Sequence, residues 1–320
     1  MSDKNNDIFL ESNLDALWRS VREYRTSANF MDVMNACKRF RHLAPFNAML
    51  VEMQRPGAKY VLSENEWRRK YDRGIKPNAR PVIVLVPFGP VDFLFEISDT
   101  YPLEVSLFPK SDEEILEEIA APYKTEREVS DDMLSLLANR LAYNGIAIDN
   151  SLIAGADFAA KIQLLEDNSH SVDLKLSNKT WTRWRADYLI SVNKNAQKGE
   201  RFASICHELG HLLCHHLIAP KSWNKWPTRN LSHAAEEFEA ESVSWLICER
   251  LGIGNPSEKY LSNFIEENKE IPKETSIENI LSAAKEVWKL CSQDTPYGYR
   301  DGLLFKNCED FKNHVSSIRK

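Results

Sequence analysis

The chain has 320 residues, 43% hydrophobic and 28% charged, the make-up of an ordinary globular protein with room for two modest domains or one elaborate one. No run approaches the roughly 18 apolar residues of a membrane span, the polar start MSDKNNDIFL lacks the basic-then-apolar order of a signal peptide, and the six cysteines, at 37, 206, 214, 248, 291 and 308, include no C-x-x-C pair; together these predict a cytoplasmic protein with reduced thiols and no membrane partner. The net charge of −6 is unevenly spread, since residues through Arg80 carry 15 Lys and Arg against 10 Asp and Glu, a balance of +5 that leaves −11 to the remainder, and such a basic front end permits nucleic-acid contact there.

In chain order, the first expected element is a helical region over residues 13–52, broken before Pro45. Within and after it, Lys38, Arg39 and Arg41, and the run Arg68-Arg69-Lys70, are candidate phosphate contacts, with Phe40 or Trp67 available to stack on bases. The same residues also suit a solvated basic face with two aromatic core anchors. Residues 81–86 and 91–97 read as a strand pair around PFGP, a turn signal. The acidic stretch PKSDEEILEEIAAPYKTEREVSDD reads as a linker carrying a short surface helix, and it sets the expected boundary between domains 1–125 and 126–320. DDMLSLLANRLAYNG then reads as an amphipathic helix with Asp131 as N-cap and Gly145 as stop. IAI and KIQLL are short strand candidates, SVDLKL could pair with them, and residues 188–192 form the clearest strand of the second half. Beyond them, APKSWNKWPTRNLS is loop-like and expected to wall a cleft. Helices are expected again over 257–268 and Ile277–Cys291.

The most specific feature is Cys206-His207-Glu208-Leu209-Gly210-His211, which contains H-E-x-x-H. Phe202, Ile205, Leu209, Leu212, Leu213 and Leu217 recur near a 3.6-residue period, so the segment is expected to be a helix. On a helix, His207 and His211 lie one turn apart and point the same way, able to grip one Zn²⁺ while Glu208 faces the open coordination position. Gly210 between the histidines is costly in a helix, by about 1 kcal/mol relative to Ala, and makes sense where another backbone must come close. A third protein ligand is needed. HAAEEFEAESVSWLICERLG supplies Glu236, Glu237, Glu239 and Glu241. At about 100° per residue, Ala234, Phe238, Trp245 and Cys248 share an apolar stripe. Glu241 falls inside that stripe and Glu237 on its edge, whereas Glu236 and Glu239 point to the far, solvated side. A carboxylate on a buried face needs a partner or a metal, so Glu237 is the expected third ligand and Glu241 the expected acceptor for a ligating imidazole's free N–H.

RFASICHELGHLLCH followed by EEFEAESVSWLI resembles the ImmA/IrrE-type metallopeptidases, whose pattern pairs HELGH with a downstream E-x-E-A-N-x-F-A helix; Glu241 stands where Asn is common. DYLISVNKN resembles the strand that precedes the HELGH helix in that family. At the front, NFMDVMNACKRFRHLAPFNAMLVEMQRPGAKYVLSENEWRRKYDRGIKPNARPVIVLVPFGPV is similar to the N-terminal region of ArdC-type antirestriction proteins, which pair a single-stranded-DNA-binding region with a metallopeptidase-like domain; Asn47, Gln54, Trp67 and KPNARPVIVL carry the likeness. The resemblances imply an α+β fold. A zincin-like metallopeptidase domain, with a small sheet, the H-E-x-x-H helix and a Glu-bearing helix, would follow a smaller α+β N-terminal domain.

The expected activity is that of a zinc metallo-endopeptidase. A zinc held by His207, His211 and Glu237 would acidify water, and Glu208 would take the proton and pass it to the leaving amine. His233 and Tyr188 are candidate donors to the oxyanion, and His215, one turn beyond His211, a candidate supporting residue. If strand 188–193 lies at a sheet edge, an extended peptide could add to it. By resemblance the substrate is an intracellular protein such as a transcriptional repressor, although no residue identifies it. The alternative reading is an ArdC-like protein that binds single-stranded nucleic acid through Lys38, Arg39, Arg41, Trp67, Arg68 and Arg69, with the metal domain accessory.

Overall fold

A computed structural model of the chain describes residues 27–86, 89–104, 109–123, 126–152, 159–166, 170–175, 181–254, 261, 271–292 and 308–318. These form a mixed α+β structure in two compact units. One lies within Met1–Thr125 and Phe264–Lys273, the other within Glu126–Asn263 and Glu274–Lys320.

In the first unit, helices α1 (Ser27–Arg39) and α2 (Pro45–Gln54) are the two pieces of the expected helical region; residues 13–26 lie outside the described residues. Pro45 opens α2, where its missing N–H breaks no intrahelical bond. Then come β1 (Val61–Leu62), α3 (Glu64–Tyr71), β2 (Arg73–Ile75), β3 (Val82–Val86), β4 (Gly89–Glu96) and β5 (Thr100–Pro102). β3 and β4 pair antiparallel, Val82 opposite Leu94 and Val84 opposite Asp92. Of the expected PFGP turn, Pro87 and Phe88 lie outside the described residues. The sheet runs β1-β4-β3, and β2 pairs with β5 apart from it.

β3 is an edge strand, and α2 seals it. Asn47 and Gln54 lie seven residues apart, on one face of the helix. The Asn47 amide donates to the Leu85 carbonyl at 2.9 Å and accepts from the Leu85 N–H at 3.1 Å. The Gln54 amide does the same with Ile83, at 2.7 and 2.9 Å. Two side chains thus stand in for a neighbouring strand, a way of blunting a sheet edge.

The two units divide within the acidic stretch, between Thr125 and Glu126, and its front part packs into this unit. Its helix α4 (Asp112–Ala120) starts on a reciprocal cap, with Glu114 N–H donating to Ser111 Oγ and Ser111 N–H to the Glu114 carboxylate. Ile115 on this helix is fully buried among Tyr60, Leu62, Trp67 and Ile97. One apolar anchor among acids gave a weak pattern, and tertiary packing decided it.

In the second unit, α5 (Asp131–Ala142) is capped by Ser130, one residue before the expected Asp131, with Met133 N–H donating to Ser130 Oγ at 3.2 Å. Gly145, at φ +72°, ends the turn after it. β6 (Ile146–Leu152), β7 (Ala160–Leu164) and β10 (Tyr188–Asn193) form a sheet of order β6-β10-β7, with β10 parallel to β6 and antiparallel to β7. β10 is therefore central, not an edge. Its Tyr188, Leu189, Ile190 and Val192 are buried because both neighbours and a helix cover it. The edge strands are β6 and β7. β8 (Ser171–Lys175) pairs with β9 (Trp181–Arg185), a strand not expected from the sequence, rather than with β6 or β7. Helices α6 (Lys198–Leu213), α7 (His233–Leu251) and α8 (Ile277–Cys291) pack on one another, and α6 also packs on β7 and β10. A last helix, α9, spans Glu309–Ile318. The helix expected over 257–268 lies outside the described residues, Leu261 excepted.

All six cysteines are buried and none is in a disulfide. Among the described residues no helix is long and apolar enough to cross a membrane.

The sealed edge makes a testable demand on the first unit. Gln54→Ala should leave the fold intact but remove both outer partners of Ile83, costing about 1–3 kcal/mol. Hydrogen exchange should quicken at the Ile83 amide well beyond the global loss of stability, while the amides of β4 change only with that global loss. Unchanged Ile83 protection would show the edge to be sealed by something else.

Candidate metal centre

α6 begins after Gln197, whose N–H donates to the Glu200 carboxylate at 3.0 Å, and it runs unbroken through the H-E-x-x-H motif to Leu213. His207 and His211, one turn apart, open onto a cleft of about 900 Å³. Their Nε2 atoms are 3.1 Å apart. α7 brings the third group, with Glu237 Oε2 3.4 Å from His207 Nε2 and Oε1 3.4 Å from His211 Nε2. A tetrahedral ion with bonds of roughly 2.0–2.1 Å spaces its ligand atoms about 3.3–3.4 Å apart. Each imidazole has a Glu237 oxygen near that spacing, and one donor atom from each of the three residues lies within 4.8 Å of the others, so His207, His211 and Glu237 could hold a divalent ion.

A second observation agrees. His207 Nδ1 is buried with no hydrogen-bond partner, and Glu241 Oε1 lies 3.5 Å away, too long for a made bond. With Nε2 turned toward a metal, Nδ1 carries the ring's proton, and Glu241 is the acceptor in front of it.

Gly210 permits this convergence. A Cβ at Gly210 would stand 2.8 Å from Ala240 Cα and 3.0 Å from the Ala240 carbonyl oxygen. The helices α6 and α7 touch backbone to backbone there, which only glycine allows.

β7 forms the opposite wall, with Ala160, Lys161 and Ile162 lining the cleft. Asn193 N–H donates to Ala159 O and Leu165 N–H to Asp187 O, so residues 159, 161, 163 and 165 face β10. Ala160, Ile162 and Leu164 direct their backbone groups outward. The Ile162 N–H meets Glu208 Oε2 at 2.9 Å, which fixes the motif's carboxylate against the edge strand.

The site is electrostatically strained toward a cation. Burial disfavours a charged His207, yet the carboxylates of Glu237 and Glu241 outweigh it and push its pKa up to about 10. Burial likewise disfavours a charged Glu237, but the imidazoles of His207 and His211 facing its oxygens hold its carboxyl well below the usual range. For Glu208 burial wins, and its pKa is raised despite the two imidazoles and the Ile162 N–H.

The remaining expected residues are placed as follows. His233 is 85% exposed at the cleft, with Nδ1 3.7 Å from Glu237 Oε1. Tyr188 is fully buried, its ring against Trp223 and its hydroxyl donating to Ile218 O at 2.9 Å, so it does not face the cleft. His215 sits at φ +67°, its ring on Trp226. It is the neighbouring His216 that meets His211, Nδ1 to Nδ1, at 3.0 Å. Glu236 borders the cleft, and Glu239, expected on a solvated face, is fully buried against Arg229 and His216. α7 is covered on nearly all sides from Phe238 onward; a one-stripe reading fails for such a helix. His216, Arg229 and Glu239 are the residues that sequence reasoning missed. The doubled histidine at 215–216 was the one available signal.

In the first unit, Trp67 is fully buried, its Nε1–H donating to Phe95 O at 2.8 Å, and Phe40 is fully buried. Neither ring can stack on a base. Arg39 donates to Glu52 and to Ala58 O, and the Arg41 guanidinium lies over the Tyr123 ring at 4.0 Å. Lys38 is part-buried at the end of α1. Arg68 and Arg69 are exposed on α3, Arg68 with Glu64 3.7 Å away.

Comparisons with known proteins bear on the second unit most. The family model of the IrrE N-terminal-like domain, peptidase M78, matches residues 160–244, from β7 through α6 and into α7. The crystal structure of the Mn(II)-bound antirestriction protein ArdC from the R388 plasmid is similar at a TM-score of 0.32 and 13% sequence identity, over 83% of this chain and 88% of that one. Both resemblances carried by the sequence are thus among the matches. No curated protein matches the chain.

The α6–α7 contact can be tested with two glycines of one helix. Gly210→Ala should lower the melting temperature, corresponding to about 1–3 kcal/mol of overpacking despite the better helix former. Gly199→Ala, whose Cβ would meet nothing within 4 Å, should be neutral or stabilising. Equal effects of the two would mean that the backbones do not touch.

Proposed function

We propose that this chain is a zinc-dependent endopeptidase acting on an extended stretch of protein. His207, His211 and Glu237 would hold the ion and Glu208 would be the general base. The single observation that carries the reading is the juxtaposition of three donors, within 4.8 Å of one another, with a buried carboxylate, Glu208, pinned to the outward face of an edge strand. The match to the IrrE-like domain over the same residues supports it.

Bound there, zinc would supply a Lewis acid for the scissile carbonyl and lower the pKa of water toward about 7. Glu208 would accept a proton from the attacking water and return it to the departing amine, and its raised pKa suits both halves of that task. The outward backbone groups of β7 would pair with an extended substrate beside Glu208, replacing the β10 edge expected from the sequence. Of the two oxyanion candidates, His233 stands at the cleft with room to approach the substrate, whereas Tyr188 is committed elsewhere. A regulatory protein such as a repressor follows from the family likeness alone.

The nucleic-acid reading is the weaker one. Of its residues, Arg68 and Arg69 present an exposed basic surface, but Trp67 and Phe40 are core side chains.

The decisive variant is Glu208→Gln. It should keep the zinc content of the wild type and lose about 10²–10⁴-fold in cleavage of an unstructured protein substrate, the usual worth of general acid–base help. Removal of the metal by a chelator should abolish cleavage, and added zinc should restore it. Cleavage that survives in both preparations would refute the assignment.

A further inference from the structure

His211 has two ring nitrogens with two different neighbours. Nε2 faces His207 and Glu237, and Nδ1 faces His216. The chain turn after α6 produces the second contact. Cys214 caps the helix, His215 takes the left-handed conformation at φ +67°, His216 N–H donates to His211 O at 3.0 Å and His215 N–H to Leu212 O at 3.2 Å. This is the paired closure of a Schellman turn, and histidine is among the side chains that tolerate its left-handed position. The reversal folds His216 back along its own helix, so that its ring lies edge-on to His211 with centroids 5.2 Å apart.

Behind His216 is Glu239. His216 Nε2 lies 3.0 Å from Glu239 Oε2. The same carboxylate accepts from both terminal nitrogens of Arg229, at 2.6 and 3.0 Å, and from the Ser276 N–H at 2.7 Å. Side chains of His216 and Glu239 are 1% and 0% exposed. Arg229 is itself tied to the turn, its N–H donating to His215 O and a guanidinium nitrogen to Cys214 O.

We propose that Arg229, Glu239 and His216 form a buried relay that holds His211 in one tautomer with its Nε2 lone pair turned to the metal, so that His216 and Glu239 are positioning residues of the centre. The relay rests on the assignment of a metal to His207, His211 and Glu237. Its logic is one proton per contact. A carboxylate already taking three N–H groups can only accept from His216, so His216 Nε2 carries the proton. Arg229 supplies the countercharge to Glu239, and a His216 whose one ring proton is on Nε2 offers Nδ1 as an acceptor. Two nitrogens 3.0 Å apart share a single proton, which must then sit on His211 Nδ1. Neutral His211 is left with a bare Nε2, the form in which an imidazole binds a metal. The orientation at the cleft is thus decided three residues away.

The cluster of Cys214, His216 and Glu239 has ligand atoms close enough to suggest a second ion. The hydrogen bonds exclude that use. Glu239 is saturated by Arg229, Ser276 and His216, and burial beside Glu239 holds the Cys214 thiol protonated, its pKa well above the ordinary value.

The experiment uses the full chain with Zn²⁺ and Co²⁺ as probes. Chelator competition gives affinity, the Co²⁺ visible spectrum reports the ligand field, and thermal melting of the metal-free protein reports the fold. His216→Phe removes the acceptor and should weaken metal binding about 10–100-fold, the usual effect of losing a ligand's supporting partner, with an altered Co²⁺ spectrum. His216→Gln, whose amide can accept from His211 and donate to Glu239, should recover most of the affinity. Imidazole ¹⁵N shifts of the metal-free wild type, which need no variant to fold, should show His211 protonated at Nδ1 and His216 at Nε2. Unchanged affinity and spectrum in His216→Phe, or the opposite tautomer of His211, would overturn the relay while leaving the metal centre standing. A wild type that binds neither ion would overturn the metal centre and the relay together.

Discussion

Everything at the site depends on how closely α6 and α7 cross. At Gly210 and Ala240 the two backbones are in contact, and further along Ser244 Oγ donates to Ala203 O at 2.9 Å, pinning the pair a second time. Higher numbers on α7 meet lower numbers on α6, so the helices are antiparallel. Two carboxylates one turn apart, Glu237 and Glu241, therefore meet two imidazoles one turn apart, His207 and His211. The backbone contact at Gly210 goes with Glu237 oxygens standing 3.4 Å from both Nε2 atoms.

The same crossing creates a charge problem that the fold solves in two ways. α7 carries Glu237, Glu239 and Glu241 within two turns, all at least partly buried, beside Glu208 from α6. Burying a carboxylate is costly unless it is paired. Glu239 is paired inside the protein, by a bidentate guanidinium, an imidazole and a helix-start N–H. Glu237 and Glu241 share His207, which they pull toward its charged form. A divalent cation between His207, His211 and Glu237 would satisfy the same field with more charge at shorter range. One buried carboxylate is thus paired within the protein, and its neighbours on the cleft side face the imidazoles of α6.

How much of this was legible depended on whether a pattern was local. H-E-x-x-H fixed two imidazoles and a carboxylate on one helix face, and the cost of Gly210 in a helix pointed to a close backbone before any partner was known. The stripe on α7 separated Glu237 and Glu241 from their neighbours because those two face α6. It misplaced Glu239 because the far side of α7 is covered by Arg229 and the start of α8, contacts that no helical period encodes. His216 was passed over for His215 because a helical count continues past Leu213, whereas the chain reverses there. Strand order was equally hidden. The apolar run of β10 marks a strand but does not say which strands flank it, and its four buried residues are better understood, once the sheet is seen, as the mark of a central position.

The two sheets show how side chains decide what an edge can do. β3 and β7 each end a three-stranded sheet. On β3, the outward groups of Ile83 and Leu85 are matched by carboxamides, which both donate and accept, so each residue's N–H and C=O are satisfied together and the strand is closed to further pairing. On β7, the side chain that meets the outward row is a carboxylate, which can only accept. Glu208 takes the Ile162 N–H and has nothing to offer a carbonyl. Sealing with an amide satisfies both donor and acceptor of each edge residue, whereas contact with a carboxylate satisfies only a donor. An extended peptide supplying N–H groups to the outward carbonyls of β7 would lie within reach of Glu208, so that the residue proposed to move the proton also helps define where the substrate backbone runs.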